Sequence, residues 1–275
     1  MNILVTGHKG FIGKNLFKFL KKKKINVTGY DYKTNKSFPK IKKYNWVIHL
    51  GAISSTTEMN FNKVMKQNFY FSKRLLLECI KHNVNMQYAS SASVYDKKYG
   101  FKENSKSRPR SPYSISKAMF DKYVGEIEHK IIIQGFRYFN VFGSNENNKK
   151  SQASPVYKFI KQAKTKKNIK IFYNSNKYKR DFVYVEDVCE VHHKMLSKKN
   201  SGLFNVGRGE SISFEKIAKE IAKKFSCNVN YINMPPNIKK HYQKYTKANN
   251  SKLIKIVSIK WTDPLSYIRK LKRIY

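Results

Sequence analysis

The sequence predicts an α/β protein built on a doubly wound parallel sheet, with a second, smaller α/β lobe. Short apolar segments alternate with longer segments whose apolar residues recur at helical spacing. That alternation is typical of a parallel sheet with helices on both faces. A glycine-rich turn also follows the first apolar segment directly, at residues 7–13. We expect residues 1–142, with a later return of the chain near residues 176–205, to form the sheet, and residues 143–275 to form mainly the smaller lobe.

Each element of the first half has its own signal. The run from Ile3 to Val5 is continuous and apolar, as in a buried strand, and the apolar positions of residues 11–23 share roughly one helical face. Residues 33–44 are basic and poor in apolar side chains, which predicts a loop. The predicted order is strand 2–6, helix 11–23, strand 25–30, strand 46–50, helix 61–82, strand 86–90, helix 114–128 and strand 131–136.

The pattern is looser in the second half of the chain. Helical spacing predicts helices over residues 154–164, 185–196 and 214–225, and residues 169–172 read as a strand. Two adjacent prolines, Pro235 and Pro236, indicate a loop because proline cannot donate a backbone hydrogen bond. The second half is therefore expected to form an α/β lobe with a small sheet.

Composition limits the class of protein. The 275 residues are 40% hydrophobic and 14% aromatic, which is enough to bury a core and excludes a largely disordered chain. The 57 lysines and arginines exceed the 17 acidic residues, for a net charge of +40. Such a charge is compatible with nucleic acid, an anionic surface or an anionic ligand. Only eight of these residues are arginines and the lysines are spread along the whole chain, so we interpret the charge as a solvated surface.

Cysteine usage and the start of the chain favour a cytoplasmic protein. Cys79, Cys189 and Cys227 have no paired spacing, which argues against disulfides and a zinc site. His192 and His193 have no acidic or cysteine partner at ligand spacing, so no metal is expected. Met1 leads straight into the first strand without a signal peptide, and no apolar run reaches the ~18 residues of a membrane helix.

The glycine turn points to a dinucleotide. Gly7, Gly10 and Gly13 are spaced G-x-x-G-x-x-G between a strand and a helix. Glycines let the backbone approach a pyrophosphate, and the helix N-terminus supplies free N–H groups. Asp31 lies 18 residues after Gly13, where a carboxylate could bind the adenosine ribose. Lys33 and Lys36 could instead hold a 2′-phosphate, so these residues leave NAD and NADP open. A Rossmann-type domain is expected.

A serine, a tyrosine and a lysine suggest chemistry at the same end of the sheet. Tyr113 and Lys117 are four residues apart, which places both on one helix face. A nearby ammonium would lower the pKa of the phenol, ordinarily near ~10, toward the range of a general base. Ser91 follows a predicted strand and could hydrogen-bond a substrate oxygen. Together with the glycine turn, these three residues predict an acid/base site rather than a chance surface pair.

At this point the chain resembles the extended short-chain dehydrogenase/reductases that act on nucleotide sugars. More distinctive stretches are similar to the ADP-glycero-manno-heptose 6-epimerase family. They are HLGAISSTTE at 49–58, YASSA at 88–92, GFRYFNVFG at 135–143 and KRDFVYV at 179–185. The resemblance covers nearly the whole chain. It implies a nicotinamide-binding first lobe, a nucleotide-sugar-binding second lobe and a homo-oligomer.

The resemblance also implies a role for individual residues. Tyr113 would be one acid/base, with Lys117 and Ser91 as its partners, and Lys149 would be the second acid/base. The cofactor, NADP with NAD as the alternative, would contact Gly7, Gly10, Phe11, Ile12, Gly13, Asp31, Tyr32, Lys36, Leu50, Gly51, Ala52, Ile53, Ser54, Gln67, Asn68, Tyr113, Lys117, Val141 and Lys149. The nucleotide sugar would contact Ser91, Asn140, Ser151, Lys158, Phe172, Tyr173, Asn174, Ser175, Arg180 and Tyr242.

The implied reaction is inversion at C6″ of an ADP-heptose through a transient ketone, which would supply lipopolysaccharide or another surface glycan. The chain departs from the family in three places. Asn148-Lys149-Lys150 replaces a His-Lys-Gly run, Lys158 replaces a substrate-contacting histidine, and the segment between Asp31 and His49 is shorter. A 4-epimerase, dehydratase or ketosugar reductase remains the nearest alternative. A non-catalytic protein that binds dinucleotide and nucleic acid is a remote one.

Overall fold

The computed structural model describes residues 1–32, 34–35, 37–96, 98, 100–236 and 242–272, and it describes residues 148, 150 and 151 by their backbone only. Lys33 and Lys36 and the side chain of Ser151, all named above, lie outside this description. The strands are β1 (Asn2–Thr6), β2 (Asn26–Tyr30), β3 (Trp46–His49), β4 (Asn85–Ser91), β5 (Ile133–Tyr138), β6 (Asn140–Phe142), β7 (Asn168–Phe172), β8 (Lys179–Arg180), β9 (Phe182–Tyr184), β10 (Gly202–Val206), β11 (Ile212–Ser213) and β12 (Asn228–Ile232).

The helices follow the same order along the chain. They are α1 (Phe11–Lys22), α2 (Phe61–Met65), α3 (Phe71–Lys81), α4 (Pro112–Glu126), α5 (Pro155–Lys166), α6 (Val185–Met195), α7 (Phe214–Phe225), α8 (Ser251–Ile254) and α9 (Pro264–Lys270). A π-helical turn, Lys66–Tyr70, joins α2 to α3, and short 3₁₀ turns occupy Ala92–Val94 and Asn147–Gln152.

A six-stranded sheet in the order β10-β5-β4-β3-β1-β2 forms the centre of the molecule. Every pair in it is parallel, which confirms the predicted doubly wound sheet. From β1 the chain adds β2 on one side and β3, β4, β5 and β10 on the other. Such a reversal opens a crevice at the carboxyl ends of the strands. Ile3, Val5, Val47 and Ile48 are fully buried, as expected for strands covered on both faces.

The structure corrects three predicted element boundaries. The single helix expected over residues 61–82 is interrupted by the π-helical turn. α4 begins at Pro112, two residues early, because the Ser111 side chain accepts a hydrogen bond from the Ser114 N–H and proline suits the first helical position. β5 runs to Tyr138, two residues beyond the predicted end, because Arg137 and Tyr138 pair with β4 on one side and β10 on the other.

The second half builds a smaller set of layers. β7 pairs with β12, β6 with β9, and β8 with β11, while α5, α7 and α9 cover a separate apolar cluster. Phe142, Ile169, Phe182 and Ile217 are fully or almost fully buried in that cluster. β10 returns to the large sheet beside β5, and α6 packs on α1. The division of the chain at residue 142 stays a prediction.

The cysteines, the helices and the metal-ligating side chains were each the subject of an expectation from the sequence. Cys79 and Cys189 are buried and all three cysteines are free, and burial raises the pKa of the Cys79 thiol to about 12. Across the described residues, no helix has the combination of length and apolarity needed to cross a bilayer. The same residues contain no group of three or more His, Cys, Asp and Glu side chains able to hold a metal ion.

Candidate active site

A cavity of about 350 Å³ lies at the carboxyl ends of β1, β3, β4 and β5. Its walls are the glycine turn, the loop after β3, the first turns of α4, Lys149 and residues 152–155. The cavity brings together fourteen of the predicted site residues from separate parts of the sequence. They are Gly7, Gly10, Phe11, Ile12, Gly13, Leu50, Ala52, Ser54, Ser91, Tyr113, Lys117, Asn140, Val141 and Lys149.

In the glycine turn, backbone segments lie too close together for any side chain at Gly7 or Gly13. Gly7 has a φ of +68°, and a Cβ added to it would lie 2.6 Å from the Gly51 backbone. A Cβ on Gly13 would lie only 2.1 Å from the Gly7 carbonyl oxygen. Gly10 begins α1 without a side-chain cap, and the first turn holds no acidic residue. Its uncapped N–H groups therefore fit a pyrophosphate, which is the group that a dinucleotide presents at this position.

The carboxyl end of β2 provides the expected ribose region. Asp31 follows β2 directly, and the exposed ring of Tyr32 lies edge-on to Phe71, with 5.2 Å between ring centroids. Thr34 donates its backbone N–H to the Asp31 carbonyl. Its hydroxyl in turn accepts a hydrogen bond of 3.1 Å from Nζ of Lys9, a residue of the glycine turn. A cation of the glycine turn is thus held at Thr34, in the turn that follows Asp31.

Asn68 acts on the loop after β3 from within the π-helical turn. It is buried, its Oδ1 accepts from the Ile53 N–H at 2.8 Å, and its Nδ2 donates to the Ile53 carbonyl and to the Ser116 hydroxyl. These bonds use the whole amide, so Asn68 fixes the loop that borders the cavity. Gln67 lies with Ile53 and Ser54 on an adjoining cavity that opens beside the glycine turn.

Lys117 and Tyr113 reach the cavity from the first turns of α4. Lys117 is buried, and its Nζ donates to the Ala89 carbonyl at 2.7 Å. Burial lowers the pKa of Lys117 to about 8, while the charge of Asp121 raises it. Burial raises the pKa of the Tyr113 phenol, and the Ser91 hydroxyl acts in the opposite direction. The expectation that Lys117 lowers the phenol pKa is therefore wrong for this state, because the ammonium is directed at Ala89.

Lys149 enters the cavity from the second half of the chain. Composition indicates an exposed loop here, yet only 25% of the Lys149 side chain is exposed. Its Nζ lies 4.7 Å from the centroid of the Phe11 ring and 3.9 Å from Oε2 of Glu146. Burial lowers the pKa of Lys149; the Glu146 carboxylate raises it and the Lys158 charge lowers it further. An ammonium and a phenol thus face one cavity from two different elements.

The residues expected to bind the sugar nucleotide form a second group. Arg180 is buried, with its guanidinium carbon 5.5 Å from the Tyr242 ring centroid and 5.4 Å from that of Phe214. The rings of Tyr242 and Phe172 meet edge-on. These positions do not line the 350 Å³ cavity. The group of expected sugar contacts outside its wall is Lys158, Phe172, Tyr173, Asn174, Ser175, Arg180 and Tyr242.

The cavity also contains residues that the sequence did not single out. Tyr138, Gln152 and Ser154 line it, and Glu146 lies behind Lys149 without lining it. Tyr138 ends β5, so it occupies the strand end where ligands of such sheets bind. Glu146 precedes Lys149 by three residues, a spacing that places both on one side of a helical turn. Both signals are present in the sequence but are weak in a chain rich in tyrosine and lysine.

The parallel sheet, the crevice and the glycine turn define a protein of the dinucleotide-binding α/β class. A model of the NAD dependent epimerase/dehydratase family matches residues 3–207. The chain belongs to this family, which confirms the family expected from the sequence. The family is described as NAD dependent, and the fit of the glycine turn to a pyrophosphate agrees with that description.

Individual relatives are similar over most of the chain. An ADP-L-glycero-D-manno-heptose-6-epimerase from Brachyspira hyodysenteriae is 35% identical over 288 aligned positions, covering 91% of this chain and 90% of the relative. A crystal structure of the Helicobacter pylori enzyme of that name has a TM-score of 0.86 at 28% identity, covering 98% and 94% of the two chains. A UDP-N-acetylglucosamine 4-epimerase from Methanobrevibacter ruminantium has a TM-score of 0.86 at 24% identity, covering 98% and 96%. The last likeness shows the fold alone.

Proposed function

We propose that this protein is a nucleotide-sugar epimerase that inverts C6″ of an ADP-glycero-manno-heptose through a transient ketone. The observation that carries the proposal is the meeting of Tyr113 and Lys149 in the cavity that the glycine turn borders. The 35% identical Brachyspira hyodysenteriae relative supports the choice of sugar and position. Its product would feed the synthesis of lipopolysaccharide or another surface glycan.

The first lobe would hold a nicotinamide dinucleotide. The pyrophosphate would lie against Gly7, Gly10 and Gly13, where any added Cβ would enter the turn or its neighbours. When bound, the cofactor would supply the chemistry of hydride acceptance and return. The residues of this chain would orient the sugar, exclude water and move the hydroxyl proton. Phe11, Leu50 and Val141 line the cavity with apolar surface suited to excluding water.

Two acid/base groups suit an inversion better than one. Hydride leaves one face of the carbon and returns to the other, so the sugar must turn and its oxygen must change position. Proton transfer requires heavy atoms within about 3.2 Å, which one rigid side chain does not offer at two positions. Tyr113 would serve one oxygen position, with Ser91 as its hydrogen-bond partner, and Lys149 would serve the other.

Arg180 would bind the diphosphate of the nucleotide sugar. Only 7% of the residue is exposed, and among the described residues no carboxylate forms an ion pair with it. Burial lowers its pKa to about 10, which records the cost of keeping this charge away from water. A buried cation without a carboxylate is stabilised by an anionic ligand, and a guanidinium fork binds two phosphate oxygens at once.

We propose NADP rather than NAD as the resident cofactor. The hydrogen bond from Lys9 to Thr34 holds a cation at the end of β2, where the adenosine ribose of a dinucleotide binds. Lys9, Lys14 and Lys63 line the adjoining cavity together, and Glu58 is the carboxylate that lines it with them. Lys63 already pairs with Glu58 at 2.8 Å, which leaves a net positive rim suited to a 2′-phosphate.

We also propose a homo-oligomer in the cytoplasm. Phe61, Tyr70 and Leu77 on the α2–α3 segment and Met119 on α4 are 40–61% exposed, and these elements pack against each other. An exposed apolar surface of this kind suits a second copy of the chain. Light scattering of the purified protein measures the assembly, and a monomer at micromolar concentration would contradict this part of the proposal.

One experiment tests the proposed reaction. The purified protein is incubated in deuterated water with ADP-heptose and, separately, with UDP-glucose and UDP-N-acetylglucosamine, and the products are analysed by NMR. We expect inversion of the heptose alone and no deuterium at C6″, because hydride returns to the carbon that it left. Deuterium incorporation near one atom per turnover would indicate carbon-acid chemistry. Turnover of the UDP-sugars without turnover of ADP-heptose would show that the proposed substrate is wrong.

A further inference from the structure

The carboxylate of Glu146 lies at the centre of the segment that carries Lys149. It is fully buried, and each of its oxygens is engaged. Oε1 accepts from the Gly143 N–H at 3.0 Å and from the Ser154 hydroxyl at 2.8 Å. Oε2 accepts from the Ser154 N–H at 2.6 Å and lies 3.9 Å from Nζ of Lys149. One side chain therefore ties the turn after β6, Lys149 and the N-terminus of α5.

The same segment is attached to the glycine-turn helix. Asn15 of α1 donates to the Phe11 and Ser144 carbonyls, each at 2.9 Å, and its Oδ1 accepts from Nδ2 of Asn145 at the same distance. The Lys149 N–H donates to the Glu146 carbonyl at 2.9 Å. The Lys149 ammonium is thus held between the Glu146 carboxylate and the Phe11 ring, on the wall of the cavity.

We propose that Glu146 is the positioning residue for Lys149: it aims the ammonium into the cavity and keeps it protonated until the substrate oxygen requires the proton. This inference rests on the proposed function, because it assigns a partner to the second acid/base. A buried carboxylate needs a compensating cation. Lys149 forms an ion pair with Glu146, and the Glu146 charge also acts on Lys158 of α5, whose pKa it raises. Nothing in the sequence motifs or in the family match assigns Glu146 a role.

The charges around Lys149 determine the direction of the effect. Burial lowers the pKa of Lys149, the Glu146 carboxylate raises it, and the charge of Lys158 on α5 lowers it further. Tyr113 faces the same cavity from α4, and Lys9, Lys14, Glu58 and Lys63 lie on the adjoining cavity. Of these acidic groups, Glu58 is paired with Lys63, whereas Glu146 is directed at Lys149. Removing the Glu146 charge should therefore release the Lys149 proton at lower pH.

The test compares Glu146→Gln with two controls. Glu146→Gln keeps the shape and removes the charge, Glu146→Asp keeps the charge, and Ser154→Ala removes one hydrogen bond to the carboxylate but no charge. The pKa of Lys149 is read directly by competitive acetylation over a pH series, with peptide mass spectrometry to resolve the labelled lysine. This measurement needs neither cofactor nor nucleotide sugar. The pH profile of epimerisation is measured in parallel on the same variants.

We expect Glu146→Gln to lower the Lys149 pKa by about one to three units, the usual effect of losing an opposite charge at this distance. The corresponding limb of the pH profile should move by the same amount, and Glu146→Asp should restore most of it. An unchanged Lys149 pKa in Glu146→Gln, or an equal shift in Ser154→Ala, would overturn the inference. Failure of the proposed function is a separate result, namely full activity in Lys149→Met whatever the labelling shows.

Discussion

The hydroxyl of Tyr138 lies 2.5 Å from Nε2 of His192, and the other nitrogen of that ring lies 2.7 Å from Oε1 of Gln87. Gln87 donates its Nε2 to Gln134 and to the His192 carbonyl, so its oxygen must accept from the ring. His192 therefore carries its proton on Nδ1, and Nε2 accepts from Tyr138. Tyr138 therefore lines the cavity with its hydroxyl proton committed to His192.

This arrangement predicts acid sensitivity. Burial lowers the pKa of His192 from 6.5 to about 3, and that of His49 likewise. Between pH 6.5 and 3 the unfolded chain binds more protons than the folded one, so the free energy of unfolding falls as pH falls. Each histidine contributes up to about 1.4 kcal/mol per pH unit in this window. Urea unfolding over this pH range should show a shallower slope for His192→Gln than for the parent.

Gly13→Ala should abolish tight cofactor binding. The added methyl would lie 2.1 Å from the Gly7 carbonyl oxygen, so the turn must open and the pyrophosphate loses its backbone approach. Calorimetric titration with NADP and NAD should show at least a ~10²-fold loss of affinity. Gly125→Ala is the control, because a Cβ there meets nothing within 4 Å and alanine favours the helix. Parental affinity in Gly13→Ala would mean that the pyrophosphate binds elsewhere.

Tyr113→Phe and Lys149→Met should each reduce epimerisation by at least ~10²-fold, the scale for losing one acid/base group. Both variants should still bind the cofactor, because neither forms the glycine turn. Each should retain some hydride transfer with a substrate of one configuration, since one proton-transfer position remains intact. Rapid-mixing absorbance at the reduced nicotinamide band measures that step. Near-parental turnover by Lys149→Met would remove Lys149 from the mechanism and make Lys158 the next candidate.

Arg180→Lys should weaken binding of the nucleotide sugar and leave the cofactor in place. A lysine keeps the charge but loses the planar fork that binds two phosphate oxygens and packs against Tyr242 and Phe214. We expect KM for the nucleotide sugar to rise at least about tenfold, the effect of losing one charge-assisted hydrogen bond. Equal losses for the sugar and for NADP would instead point to a general loss of structure.

Lys9→Gln should change the cofactor preference. The ammonium held by Thr34 would lose its attraction to a 2′-phosphate, while NAD lacks that group. Affinity for NADP, and for 2′,5′-ADP as a fragment, should fall about tenfold, with NAD unchanged. Lys161→Gln, an exposed lysine of α5 that lines neither cavity, serves as the matched control. A parent protein that already prefers NAD would exclude the NADP proposal and leave the epimerase proposal intact.

Local sequence patterns were sufficient to predict most of the fold. The apolar run from Ile3 to Val5, the glycine spacing and the helical periodicity each lie within one short stretch, and the sheet and the turn follow from them. Tyr113 and Lys117 were recognisable for the same reason. The resemblance to a family added Lys149, which composition alone would have placed in a solvated loop.

Sequence periodicity and spacing could not predict contacts between residues that are distant along the chain. Asn68 uses its whole amide on Ile53 and Ser116, 15 and 48 residues away, and no periodicity indicates such partners. The phenol pKa failed for a related reason: helical spacing places Lys117 near Tyr113, but the Ala89 carbonyl decides where the ammonium is directed. The spacing of Glu146 to Lys149 was likewise too weak a signal, because the role of Glu146 depends on hydrogen bonds from Gly143 and Ser154 that only the folded chain provides.

The bonds from Asn15 to Ser144 and Asn145 bear on how such enzymes can be recombined. A chimera that exchanges the sugar lobe at residue 142 would separate α1 from the segment that it anchors, and would import a foreign partner for Asn15. A junction after Ser154 would keep Asn15, Glu146, Lys149 and Ser154 from one parent. The module for transplanting sugar preference therefore begins with α5 and leaves out α6 and β10, which pack on α1 and β5. The segment before α5 belongs with the dinucleotide half.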